Sequence, residues 1–213
     1  QLLAIERDSQ IKISNIVFMG IGEPLDNYEN VMESIKILNN QKGLNIGARH
    51  ISISTSGLVP KIYDLAEENI QCTLSISLHA TTDEKRRKLM PIANKYGIEE
   101  LMEACKYYFD KTGRRLTFEY SLVGGVNDTD EDAKELIELV KPLNCHVNLI
   151  PVNPIKERDF VESNTARVIA FKNKLEKNKI NVTIRREMGR DIDGACGQLR
   201  RRHMNENGEV GCD

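Results

Sequence analysis

Two hydrophobic periods alternate along this chain. Ile16-Val17-Phe18-Met19-Gly20 is a continuous apolar run, the pattern of a strand buried on both faces. The spacing then predicts a helix over Tyr28–Asn39, with Val31, Ile35 and Leu38 on one side. A strand over 51–54 follows, then a helix with Pro60 near its first turn, a strand over 72–79 and a short charged helix starting near Thr82 and Asp83. The clearest helix covers 98–111, where Ile98, Leu101, Met102, Cys105, Tyr108 and Phe109 recur at i, i+3, i+4, i+7. A strand over Leu116–Leu122 ends in a Gly124-Gly125 loop. Beyond it come a helix carrying Ala133, Leu136, Ile137 and Val140, a strand over 147–150, a helix over Thr165–Lys177 and a strand over 181–185. No period is assignable after Glu187.

Strands separated by helices imply a parallel sheet of βα units, open or closed into a barrel. The strands carry a second signal. Ser52 and Ser54, then Ser75, Ser77 and His79, then Thr117, Glu119 and Ser121, and finally Asn148 all fall opposite the apolar positions of their strands. An antiparallel sheet wet on one side would alternate likewise, but the intervening helices argue against it. An eight-stranded barrel fills its centre with Val, Ile and Leu instead. The fold class expected is therefore α/β, a barrel with its helices outside and a polar lumen that holds a polar molecule.

Composition narrows the function classes. The 213 residues are 40% hydrophobic and 29% charged, with 14 Gly and 6 Pro, so a packed core is expected and collagen-like or disordered chains are excluded. Thirty Lys+Arg against 32 Asp+Glu give a net charge of −2, which rules out a globally basic coat for nucleic acid but not a local patch. Charges interrupt every apolar run before membrane-spanning length, so no membrane partner is expected. Five cysteines with no CxxC pair suggest a reducing, cytoplasmic setting. With 5% aromatics and no Trp, base-stacking platforms are scarce. Residues 1–14 run directly into a strand without an initiator Met, and are expected to be the interior of a longer protein.

Candidate chemistry gathers where parallel strands end. Gly20-Ile21-Gly22-Glu23-Pro24 closes the first strand, where glycines permit close backbone approach and Glu23 could accept from an ammonium group; a tight turn would need the same residues. Ser54-Thr55-Ser56-Gly57 ends the second strand and Ser77-Leu78-His79 the third, at the carboxyl edge where such sheets bind ligands. A histidine there also serves as a structural hydrogen-bonder. Asn153 lies between Pro151 and Pro154, held extended for binding or for a turn. Cys196 has small neighbours in Asp191-Ile192-Asp193-Gly194-Ala195-Cys196-Gly197-Gln198-Leu199, with arginines at 185, 186, 190 and 200–202 that would lower a thiol pKa. A free surface or packed cysteine is the competing reading. Cys72 and Cys105 lie on apolar faces and read as core, while Cys145 and Cys212 receive no role.

Taken together, Met19–Asn27, Ser54–Gly57, Ser77–His79, Ile150-Pro151-Val152-Asn153-Pro154 and the 191–199 segment resemble the radical S-adenosylmethionine (SAM) enzymes that methylate adenine carbon 2 in ribosomal and transfer RNA. The resemblance spans essentially the whole chain, with the motifs in order. It implies that Gly22 and Glu23 contact the amino end of SAM, and that Ser54, Ser77, Leu78, His79 and Asn153 supply other cofactor contacts. It also implies that Cys196 accepts a methyl group before attaching to the base. The implied cofactors are SAM and a [4Fe–4S] cluster; the implied partners are 23S rRNA, tRNA and a reducing protein such as flavodoxin. The CxxxCxxC motif that holds the cluster, and a second catalytic cysteine, are absent from the sequence and expected upstream of Gln1, with the first barrel strand. The fold implied is α/β, a partial (βα)6-type radical SAM barrel, with residues 1–186 its C-terminal part and 187–213 a tail carrying the cysteine, inactive by themselves. Alternatives are the sister carbon-8 adenine methyltransferase, a non-catalytic RNA-binding homologue, and a barrel enzyme acting on a phosphorylated metabolite. The last lacks a Gly-rich phosphate loop.

Overall fold

The computed structural model describes residues 1–19, 22–152 and 160–185. Within them lie helices α1 (Leu2–Ser9), α2 (Tyr28–Asn39), α3 (Val59–Glu67), α4 (Asp83–Leu89), α5 (Ile98–Thr112), α6 (Asp130–Val140) and α7 (Thr165–Lys177). The strands are β1 (Ile16–Phe18), β2 (Ile51–Thr55), β3 (Thr73–Ser77), β4 (Leu116–Leu122), β5 (Cys145–Pro151) and β6 (Asn181–Ile184). All six form one parallel sheet in sequential order from β1 to β6. The first and last strands are not paired with each other among the described residues, so the sheet is a partial barrel rather than a closed one.

The two faces of the sheet separate as the alternation predicts. Ile53, Leu74, Ile76, Phe118, Val147 and Leu149 are fully buried and share one core with Met32 and Ile35 of α2, Ile62 and Leu65 of α3, Leu101 and Cys105 of α5, Leu136 of α6 and Leu175 of α7. Helices pack on that face because each carries its apolar residues on one stripe. Ser75, Glu119 and Asn148 occupy the other face, where register sets Ser77 beside Glu119 and Glu119 beside Asn148.

Three local expectations need correction. The first strand is half-buried at Ile16 and Phe18 but exposed at Val17, and among the described residues it pairs only with β2, so it is not buried on both faces. The segment before it, to which the sequence pattern assigned no element, contains α1, which buries no residue and leaves Leu3 and Ile5 exposed. The strand expected over 72–79 ends at Ser77; His79 takes φ 57°, in the left-handed region, so strict alternation stops before it.

Candidate functional site

Because the sheet is parallel, the segments leaving β1, β2, β3 and β4 emerge on one edge, and buried polar side chains tie them together. Gly22, at φ 106°, makes the turn after β1 that L side chains rarely adopt. Glu23 follows. Its Oε1 accepts from Leu25 N–H at 3.0 Å, starting the 3-10 turn Pro24–Asn27, and its Oε2 accepts from the N–H and hydroxyl of Ser56 at 2.7 and 2.8 Å. The carboxylate thus joins the loop after β1 to the loop after β2. Thr55 Oγ1 accepts from Gly57 N–H at 3.1 Å and shapes that second loop.

Arg86, on α4, makes the next link. Its side chain is fully buried. Nη2 donates to Ser56 O at 2.7 Å and Ser77 O at 3.3 Å, Nε to Leu78 O at 3.2 Å, and Nη1 to Tyr96 O at 3.4 Å. No carboxylate forms an ion pair with it among the described residues. Burial pulls its pKa below the ordinary arginine value, and Asp83 acts in the opposite sense. In the sequence Arg86 looks like one more cation of a charged helix, Asp83-Glu84-Lys85-Arg86-Arg87-Lys88. The only signal that could have marked it is helical phase, since it falls on the side of α4 that meets the sheet.

His79 is half-buried at the end of β3. Its Nδ1 accepts from Ser121 N–H at 3.0 Å, its own N–H donates to Glu119 O at 3.2 Å, and its carbonyl accepts from Asn127 Nδ2 at 2.7 Å. Burial first, and the charge of Arg86 second, push the imidazole pKa down to about 4, so near neutral pH the ring is uncharged with its proton on Nε2. On the polar face, Glu119 accepts from Ser75 Oγ at 3.1 Å and Asn148 Nδ2 at 2.8 Å, while Asn148 Oδ1 accepts from Thr183 at 3.2 Å. Ser54 is nearly buried and aligned with Ser75 in register.

Of the residues singled out from sequence, Gly22, Glu23, Ser54, Ser77, Leu78 and His79 therefore meet at one edge. Asn153 and Cys196 lie outside the described residues. Sequence reading took Ser56 only as part of the Ser54–Gly57 segment and missed Arg86 and Asn127; all three join the loops. Cys72, Cys105 and Cys145 are buried, and burial raises their thiol pKa to about 11, about 12 and about 11. They are packing residues, and no group of three or more His, Cys, Asp or Glu able to hold a metal occurs among the described residues.

An α/β sheet of sequential parallel strands with a polar carboxyl edge is the frame of a large family. The chain belongs to the Radical SAM superfamily, whose family model matches residues 3–140. Among curated relatives, it is 61% identical over 97% of its length to the probable dual-specificity RNA methyltransferase RlmN of Lachnospira eligens, and 53% identical over 95% to that of Clostridioides difficile; it covers 59% of each. A crystal structure of a radical SAM methyltransferase from Sphaerobacter thermophilus superposes with a TM-score of 0.87 at 47% identity, covering 92% of this chain and 58% of that one. A domain of a pyruvate-formate lyase-activating enzyme from Bacteroides vulgatus shares the fold alone, with a TM-score of 0.63 at 16% identity. The chain thus spans somewhat over half the length of the curated relatives it matches.

Proposed function

We propose that the protein containing these residues methylates carbon 2 of an adenine in 23S rRNA and in tRNAs. The observation that carries this reading is the 61% identity, across nearly the whole chain, to a relative named a dual-specificity RNA methyltransferase. The polar edge supports it. A zwitterionic nucleoside such as SAM needs fixed donors and acceptors with little water between them, and Gly22, Glu23, Ser54, Ser77, Leu78 and His79 offer them on rigid strand ends.

Adenine carbon 2 is electrophilic and bears no acidic proton, so ordinary methyl-cation transfer does not reach it; SAM with an iron–sulfur cluster supplies radical chemistry for such positions when bound. The described residues do not fit the cluster, since their three cysteines are separately packed in the core. The chain's own contribution is orientation. Gly22 and Glu23 would face the amino end of SAM, and Ser54, Ser77, Leu78, His79 and Asn153 its remainder. Cys196 would accept the methyl group as a nucleophilic thiolate. A reducing partner such as flavodoxin and a cytoplasmic setting belong to the same proposal; no helix among the described residues is long and apolar enough to cross a membrane.

The test is nucleoside mass spectrometry of 23S rRNA and tRNA treated with the full-length protein. The expected product is 2-methyladenosine, lost in Cys196→Ala; the wild-type cysteine peptide should carry a methyl group, about 14 Da. Formation of 8-methyladenosine would assign the sister reaction, and unmethylated RNA would overturn both.

A further inference from the structure

The segment after β4 contains a residue whose every side-chain group is committed to joining the ends of β3 and β4. Asn127 is fully buried. Its Nδ2 donates to His79 O at 2.7 Å and to Ser121 O at 2.6 Å, and its Oδ1 accepts from Val123 N–H at 2.7 Å. Its own carbonyl accepts from the buried Tyr120 hydroxyl at 3.0 Å. An amide offers two donors and an acceptor, and here all are used.

What these bonds hold is unusual. His79 is a non-glycine residue at φ 57°, a conformation that costs an L residue free energy and persists only where the surroundings over-determine it. Three contacts do so: the Asn127 amide on its carbonyl, Glu119 O on its N–H, and Ser121 N–H on Nδ1. Two of the three depend on the β4 end that Asn127 itself braces through Ser121 and Val123. With Nδ1 occupied, Nε2–H is the ring donor left for a ligand.

We propose that Asn127 is a positioning residue for the cofactor edge, holding His79 in its left-handed backbone conformation so that the imidazole presents Nε2–H at the end of β3. The proposal rests on the reading of that edge as a SAM-binding site. Asn127 acts only through His79 and touches no ligand itself.

The experiment uses the full-length protein, wild type, Asn127→Ala, the milder Tyr120→Phe, and Ser163→Ala as a control. Ser163 is buried nearby and donates to Asp128 at 2.8 Å without contacting His79. Two quantities are read: the ring ¹⁵N shifts of His79 without cofactor, and the affinity for SAM with the accompanying KM and kcat. Wild type should show a single tautomer, protonated at Nε2. Asn127→Ala should average the two ring signals and weaken SAM binding about tenfold, the equivalent of one lost hydrogen bond, with KM rising more than kcat falls. Tyr120→Phe should move both in the same direction by less, which serves if Asn127→Ala does not fold. Ser163→Ala should move neither. Unchanged His79 signals in the Asn127 and Tyr120 variants would overturn the positioning role, whatever the enzyme does. Averaged signals with SAM affinity unchanged would overturn its link to the cofactor edge. Averaged signals in a protein whose wild type binds no SAM would instead count against the edge being a SAM site.

Discussion

Burying a guanidinium with no carboxylate beside it is costly, and Arg86 offsets that cost with the carbonyls of Ser56, Ser77, Leu78 and Tyr96. Arg86→Met should nonetheless destabilise the full-length protein by about 2–4 kcal/mol, because four buried carbonyls lose their donor, which outweighs the relief of no longer burying the charge. Arg87→Met, one residue on and half-exposed, should stay within about 0.5 kcal/mol in the same denaturation experiment. Equal losses would show that Arg86 merely fills space. His79 gives a second residue-scale expectation. Its folded pKa, about 4, lies below the ordinary value of 6.5, so between those values the unfolded chain binds more protons. Its contribution is whole above about pH 6.5 and shrinks as pH falls towards 4, by less than about 1.4 kcal/mol per pH unit for a half-buried ring. Wild type should lose stability faster than His79→Gln between pH 6.5 and 4.5, and parallel curves would refute the assignment.

Among elements, the turns that join strands to helices carry the strain. Gly57 sits at φ 105° between β2 and α3, and a Cβ there would meet Arg86 Nη2 at 3.0 Å and Leu101 Cδ1 at 3.2 Å. Gly57→Ala combines a left-handed backbone with displacement of the buried guanidinium, so a loss of about 2–3 kcal/mol and weaker SAM binding are expected. Gly113, also left-handed but with open space around its Cβ position, should cost only about 1 kcal/mol when changed to Ala. Comparable losses at the two sites would remove the steric argument. Elsewhere α4 and α6 are pinned together by Lys85 on the fully buried Asp132, 2.5 Å apart, and Asp132 also closes the capping box of α6 with Thr129. Lys85→Met leaves a buried carboxylate short of its cation and should cost about 1–3 kcal/mol, against less than about 0.5 for the exposed Lys88→Met.

For the molecule as a whole, the three described cysteines provide the measurement. All are buried with raised thiol pKa, so they should resist alkylation until the protein unfolds. Cys105→Ala should cost about 1–2 kcal/mol while the proposed methylation of RNA is retained. Rapid labelling of Cys105 in the native protein would contradict its place in the core.

The order of elements from β1 onward, the parallel α/β class and the division of β2 to β5 into an apolar and a polar face were legible in the chain, because each follows from periods of two or about 3.6 residues that local geometry imposes. Glu23, Ser54, Ser77 and His79 could be picked out as well, since they stand where predicted strands end. Tertiary structure alone decided how those ends are joined. Beyond the helical phase of Arg86, nothing in the local pattern marks it as the buried cation of a charged helix, or Asn127 as a hub rather than a turn residue, because their partners lie up to 30 and 48 positions away along the chain. The same holds for His79, whose left-handed backbone breaks the alternation that located it, and for β1, whose apolar run reads as buried but leaves Val17 exposed. Periodicity reports which way a side chain points from its own element; what it meets there depends on which elements the sheet brings alongside.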